Sequence, residues 1–125
     1  MLATALALAA ATLAAYHGVL ENGFVNYDDD LCITGVPALK TGLTLEGVGW
    51  AFTSFHCANW FPLTWLSWLL DAELFGLSAR AFHATNLALH ITNMLLALLV
   101  FSRLTGSLGV GAFVAGVFAL HPLHV

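Results

Sequence analysis

Charge is what this sequence has least of. Only 8% of its 125 residues are charged and 60% are hydrophobic, where soluble domains average about 25% charged and roughly 45 to 50% apolar. A water-facing shell cannot be assembled from that supply. Basic residues are scarcer still: Lys40, Arg80 and Arg103 stand against seven acids, which leaves no positive surface to neutralise a phosphate backbone and argues against nucleic acid as a partner. The amino terminus lacks the basic n-region of a secretory signal, and the chain has no internal repeat or low-complexity tract beyond the alanine richness of its first stretch.

What remains are long apolar runs. Residues 1–20 carry no charged side chain, residues 82–101 ("FHATNLALHITNMLLALLVF") are also uncharged, and residues 108–120 ("LGVGAFVAGVFAL") form a third run. A membrane span needs about 20 mostly apolar residues, so the expectation is an all-α integral membrane chain with about three transmembrane helices. A cleaved signal is the rival for the first run, because "LAAYHG" offers small residues near a cleavage point. The missing n-region and the later spans favour a retained helix. Arg103 in the turn "SRLTGS" places that turn in the cytoplasm and residues 21–80 outside, although Lys40 and Arg80 count the other way. Three crossings would put the residues after the first span and those after the third on one face, so "NYDDD" and "HPLHV" would share a membrane surface. The chain reads as the front piece of a larger membrane protein.

Residues 21–80 shift to Gly, Thr and aromatics, and all four tryptophans, Trp50, Trp60, Trp65 and Trp68, fall there. Indole rings favour the membrane boundary, so this segment reads as an outer loop with one or two interfacial amphipathic helices. The clearer helix is "NWFPLTWLSWLLDAELFG", with Asn59 as N-cap, Pro62 in the first turn, Gly76 as stop, and Thr64, Ser67 and Asp71 as a polar stripe. A weaker one spans residues 45–56, diluted by Gly47 and Gly49. Cys32 and Cys57 both lie here. An oxidising compartment could join them, and the sequence equally allows two separate thiols.

Two groups of polar residues carry the chemistry. His83, Asn86, His90 and Asn93 recur at helical spacing and line one face of the second span, where such groups need partners or a wet cavity. They serve either as interhelical hydrogen bonds or as the lining of a polar substrate site, to which His121 and His124 would add contacts. His83 and His90 are two turns apart, too far to share a metal, and the H-x-x-H of His121 and His124 is a weak metal signal with Pro122 between them. Asp28, Asp29 and Asp30 are the second group. They form either a solvated acidic turn or a site in which one carboxylate takes a proton from an attacking hydroxyl and another holds a divalent ion against a leaving phosphate. Neighbouring side chains diverge, so at most two of the three serve one centre.

In order along the chain, "FVNYDDD" after the first helix, "GLT…WAFT…ANWFPLTWLS", "LLDAELFGL", "HATNLALHITNMLLALLVF" and "FALHPLHV" resemble the amino-terminal part of the transmembrane and tetratricopeptide-repeat glycosyltransferases. These are O-mannosyltransferase-like proteins of the GT-C superfamily, and the likeness, from Phe24 onward, is to a bacterial-looking version. It implies a GT-C-like fold, and a transferase that moves a mannose-like sugar from a polyprenyl-phosphate carrier to a protein hydroxyl on the outer face. Asp28 and Asp29 would be the catalytic acidic pair and the ligands of any Mg²⁺ or Mn²⁺. The implied partners are a lipid-linked donor, a protein acceptor and the membrane, in a bacterial inner membrane with the site facing the periplasm. The family commonly reads "NWHPLTWLSH", and here Phe61 and Trp68 stand at the two histidine places. "HPLHVE" is cut before its glutamate, no tetratricopeptide repeat is present, and these residues alone are expected to be inactive. The competing expectation is a transporter or helix-bundle scaffold in which the His and Asn face lines a solute path or binds another helix.

Overall fold

The computed structural model of the chain describes residues 1–121. Among them the regular structure is entirely helical: α1 (Leu2–Tyr16), α2 (Pro37–Lys40), α3 (Leu45–Thr53), α4 (Pro62–Phe75), α5 (Ala79–Thr105) and α6 (Leu108–Leu120), with short 3-10 turns at His17–Glu21 and His56–Ala58 and a π turn at Asp30–Thr34. The chain divides into two compact units, Met1–Val19 with the segment from Ala84 onward, and Leu20–His83.

The first unit packs α1, most of α5, and α6. Small residues let these helices approach: Gly111, Ala115 and Ala119, four apart on α6, are buried and meet Met94 and Leu98 of α5, while Ala5, Leu8 and Ala9 of α1 close the same cluster. At Gly111 a Cβ would come within 2.8 Å of the Leu98 carbonyl and would collide with the Ser102 hydroxyl, so the crossing requires glycine. Thr12 of α1 is fully buried and donates its hydroxyl to Leu8 O at 2.8 Å, which answers its polarity inside its own helix. Gly106 takes the left-handed φ of 66° that reverses the chain between α5 and α6, and Ser107 caps α6 through Val110 N.

Among the described residues two helical stretches are long and apolar enough to cross a membrane, Leu2–Glu21 and Ala79–Thr105, at 20 and 27 residues. The third expected span has the expected bounds, but its 13 residues reach only about 20 Å against a ~30 Å hydrocarbon core. It ends where His121, which precedes Pro122, turns extended at φ −75°, ψ 127°, the conformation favoured before proline.

The second unit, Leu20–His83, corresponds to the expected outer segment. It has its own core, Ile33, Val36, Leu39, Ala51, Trp65, Leu69 and Phe82, with Trp65 and Leu69 wholly buried. α4 presents that face to α2 and α3. Its expected polar stripe is split, with Thr64 exposed and Asp71 only 4% exposed; α4 buries Trp65 and Leu69 and leaves Leu63, Leu70, Leu74 and Phe75 exposed. The helix begins at Pro62 with Phe61 as its N-cap residue, not at Asn59, which is instead extended at the end of the 3-10 turn. Pro62 and Gly76 do bound it as expected, Gly76 by a φ of 67°. The weaker helix forms over Leu45–Thr53, shorter than expected, capped by Thr44, whose hydroxyl accepts from Gly47 N. Its last turn is held by the Trp60 indole donating to Phe52 O at 2.9 Å, and the Glu73 carboxylate crosses from α4 to accept from Leu43 N.

Candidate functional site: an acidic turn clamped by a disulfide

The three aspartates lie where the chain leaves an irregular turn and enters the π turn, and their fates differ. Asp29 is half-buried and spent locally: its Oδ2 accepts from Val25 N at 2.9 Å, closing the acidic turn on itself. Asp30 is exposed at the start of the π turn. Asp28 is exposed too, and its carbonyl anchors the turn by accepting from Leu31 N and, at 2.7 Å, from Cys32 N. Asp28 lines a cleft of about 300 Å³ with Leu31, Cys32, His56 and Cys57.

A covalent bond builds that cleft. Cys32 and Cys57, left open by the sequence, are joined, with their Cα atoms 6.0 Å apart. The disulfide fastens the acidic turn to the 3-10 turn after α3. There Cys57 and Ala58 both hold left-handed φ angles, 54° and 57°, a conformation that costs non-glycine residues about 1–2 kcal/mol each. Strain of this kind persists only where the surroundings over-determine it, and it concentrates at functional sites.

His56 is the site residue that the sequence reading did not single out. Its Nε2 lies 3.0 Å from Leu31 O, and its ring touches those of Trp50 and Trp65, with centroids 6.3 and 6.0 Å away. Trp65 is the hub of an aromatic cluster, stacked on Phe61 at 4.9 Å and edge-on to Trp50 and Trp68 at 4.7 and 5.2 Å. Phe61 and Trp68 are half-buried and pack against the same core.

The other sequence-selected residues lie along α5 and beyond. His83 is half-buried, and its Nε2 is shielded from solvent with no hydrogen-bond partner; Asn86 and Asn93 are exposed. His90 is engaged. Its Nε2 bonds Ala119 O at 3.0 Å, one of the carbonyls left over at the end of α6, while its ring stacks on Phe118 at 5.2 Å and meets Tyr16 edge-on at 5.7 Å. That is the interhelical role offered as the first reading of the stripe. His121 closes α6 through its backbone N–H to Val117 O, and His124 lies outside the described residues. Among the described residues no three His, Cys, Asp or Glu side chains group as a metal-holding set. A second cleft of about 280 Å³, lined by Pro37, Ala38, Thr41, Glu46, Gly47 and Trp50, offers one carboxylate and no base beside it.

The chain matches no protein-family model, no curated protein and no solved structure.

Proposed function

We propose that this chain is the amino-terminal part of an integral membrane glycosyltransferase that uses a polyprenyl-phosphate sugar, and that Asp28 is its base. The observation that carries the reading is the placement of Asp28: an exposed carboxylate lining a cleft, on a turn that a disulfide fixes. Three further points support it. Disulfides persist in oxidising compartments, which fits a site on the outer or periplasmic face. The 18-residue apolar windows of Leu2–Glu21 and Ala79–Thr105 are only 6% and 17% buried, and most of their leucines, among them Leu2, Leu6, Leu89, Leu96 and Leu104, are exposed, as on lipid-facing helices and not on the core helices of a soluble protein. The ordered sequence motifs resemble those of the GT-C O-mannosyltransferase-like proteins.

In this mechanism the Asp28 carboxylate takes the proton of a protein hydroxyl as that oxygen attacks the anomeric carbon. The bond from that carbon to the phosphate oxygen breaks, the polyprenyl phosphate leaves with the electron pair, and the configuration inverts. Asp29 holds the turn through Val25 N. A Mg²⁺ or Mn²⁺ ion, commonly held by one or two carboxylates together with substrate phosphate, fits Asp28 and Asp29 only in that shared form; when bound it would neutralise charge on the leaving phosphate.

The test is transfer by the full-length protein from defined polyprenyl-phosphate sugars to hydroxyl acceptors, with mannose as the first donor. Asn is nearly isosteric with Asp but is no base near neutral pH, so Asp28→Asn should cut transfer by at least ~100-fold. Asp29→Asn keeps an oxygen for Val25 N but loses the charge, and should also cut transfer strongly; Asp30→Asn should be mild. Near-normal transfer by Asp28→Asn would remove the assignment.

A further inference from the structure

α4 is apolar on two sides, and only one of them is covered. Trp65 and Leu69 fill the core, whereas Leu63, Leu70 and Leu74 are 77%, 44% and 61% exposed. These three leucines are spaced seven and four apart, so they fall on one face of the helix, and Trp65 stands about 200° round from Leu63. Neither charged residue of α4 sits among them: Asp71 is buried, and the Glu73 carboxylate accepts from Leu43 N. What covers this face follows from the helix that comes next. α5 starts at Ala79, three residues after α4 ends at Phe75, and its Phe82 is buried in the same core, with its ring 6.2 Å from that of Trp68 on α4. The base of α5 and α4 are therefore one packed body. Arg80 and Arg103 are both exposed on α5, 23 positions apart with no charged residue between them. That separation rises about 35 Å, close to a ~30 Å hydrocarbon core with a guanidinium reaching the headgroups at each end. Arg80 thus marks a membrane boundary at the foot of α4.

We propose that the Leu63, Leu70 and Leu74 face of α4 rests in the headgroup and acyl boundary of the lipid bilayer. The face is apolar and uncharged, and the shared core holds it to the helix whose Arg80 marks that boundary. Trp65 and Trp68, the indoles that composition alone assigns to the boundary, pack into the core instead, so leucines make the lipid contact. This rests on the membrane part of the function proposed above and not on its transfer chemistry. It anchors the unit that carries the Asp28 turn to the surface in which a lipid-linked donor is dissolved.

Spin labels measure the contact in place. Cys32 and Cys57 are joined, so in a full-length protein with no other thiol a single introduced cysteine takes a nitroxide without reduction of the disulfide. In neutral phospholipid vesicles, labels at Leu63→Cys, Leu70→Cys and Leu74→Cys should collide more with oxygen, which concentrates in lipid, than with a water-soluble nickel chelate, and should report a depth of about 5–10 Å. A label at Glu46→Cys should show the reverse, because Glu46 is exposed on α3, which covers the other side of α4. Free access of the nickel chelate to the three leucine positions, with the protein resisting alkaline carbonate extraction, would overturn this inference alone. Shielding from both reagents would overturn it too, since protein would then cover the face; spin–spin broadening that fades on dilution with unlabelled protein would identify that cover as a second copy. Release of the unaltered protein by carbonate would sink the membrane reading and this inference with it.

Discussion

Replacing Cys32 and Cys57 by alanine should loosen the acidic turn by an amount that can be worked out in advance. The disulfide spans a sequence separation of 25 residues, and closing a loop of that length removes about 12 cal/mol/K of chain entropy from the unfolded state, about 3.5 kcal/mol at room temperature. Against this, Cys57 and Ala58 sit at φ 54° and 57°, and if both relax the turn recovers about 2 kcal/mol at the lower bound of that per-residue cost. The net loss is therefore about 1.5 kcal/mol if both relax and about 3.5 kcal/mol if neither does, roughly a 10- to 400-fold increase in the open population. Hydrogen exchange reads this directly at the amides of Leu31 and Cys32, both bonded to Asp28 O. They should exchange faster by that factor, while the Gly111 amide, bonded to Ser107 O at the start of α6, should not change. If Leu31 and Cys32 keep their protection in the double variant, the turn is held by the core beneath it, and the disulfide is not what positions Asp28.

The remaining predictions concern the helices. Gly49 lies in α3 with open space where a Cβ would go, so Gly49→Ala should raise stability by roughly 0.5–1 kcal/mol. Gly111→Ala should lower it by about 1–3 kcal/mol, because the added methyl meets the backbone of α5 at Leu98 and Ser102. Thermal unfolding in one detergent compares the two, and a loss at Gly49 equal to that at Gly111 would contradict the packing. His90→Leu should cost about 1–3 kcal/mol by orphaning Ala119 O, and His90→Gln should restore part of it. If His90→Leu leaves the unfolding temperature unchanged, the ring is not a clamp.

The helical class was legible because apolar runs and breakers state it locally. Pro62, Gly76 and the "TGS" turn mark α4, α5 and α6 where the structure has them. Two features were not local. Which side of α4 is covered depends on partners far along the chain, and the burial of Asp71 at 4% exposure is encoded by no period in residues 62–75. The cap moved from Asn59 to Phe61 for a related reason. Asn59 was drawn into the 3-10 turn that the disulfide imposes, and its amide went to His56 O.

The site shows the same division between local and distant information. Asp28 could be found by scarcity alone, as an acid in a chain with almost no charge. His56 could not, because one histidine at the end of a weak helix has no partner within a turn of sequence. The signal that would have found it is the cysteine pair. Cys32 follows Asp28 by one helical turn and Cys57 adjoins His56, so joining Cys32 to Cys57 brings the two residues to one cleft. Read as two thiols, the cysteines say nothing about Asp28. Joined, they bring Asp28, Leu31 and His56 to line one cleft. The link between the acidic turn and the turn that carries His56 is therefore covalent, and whether it persists depends on the redox surroundings.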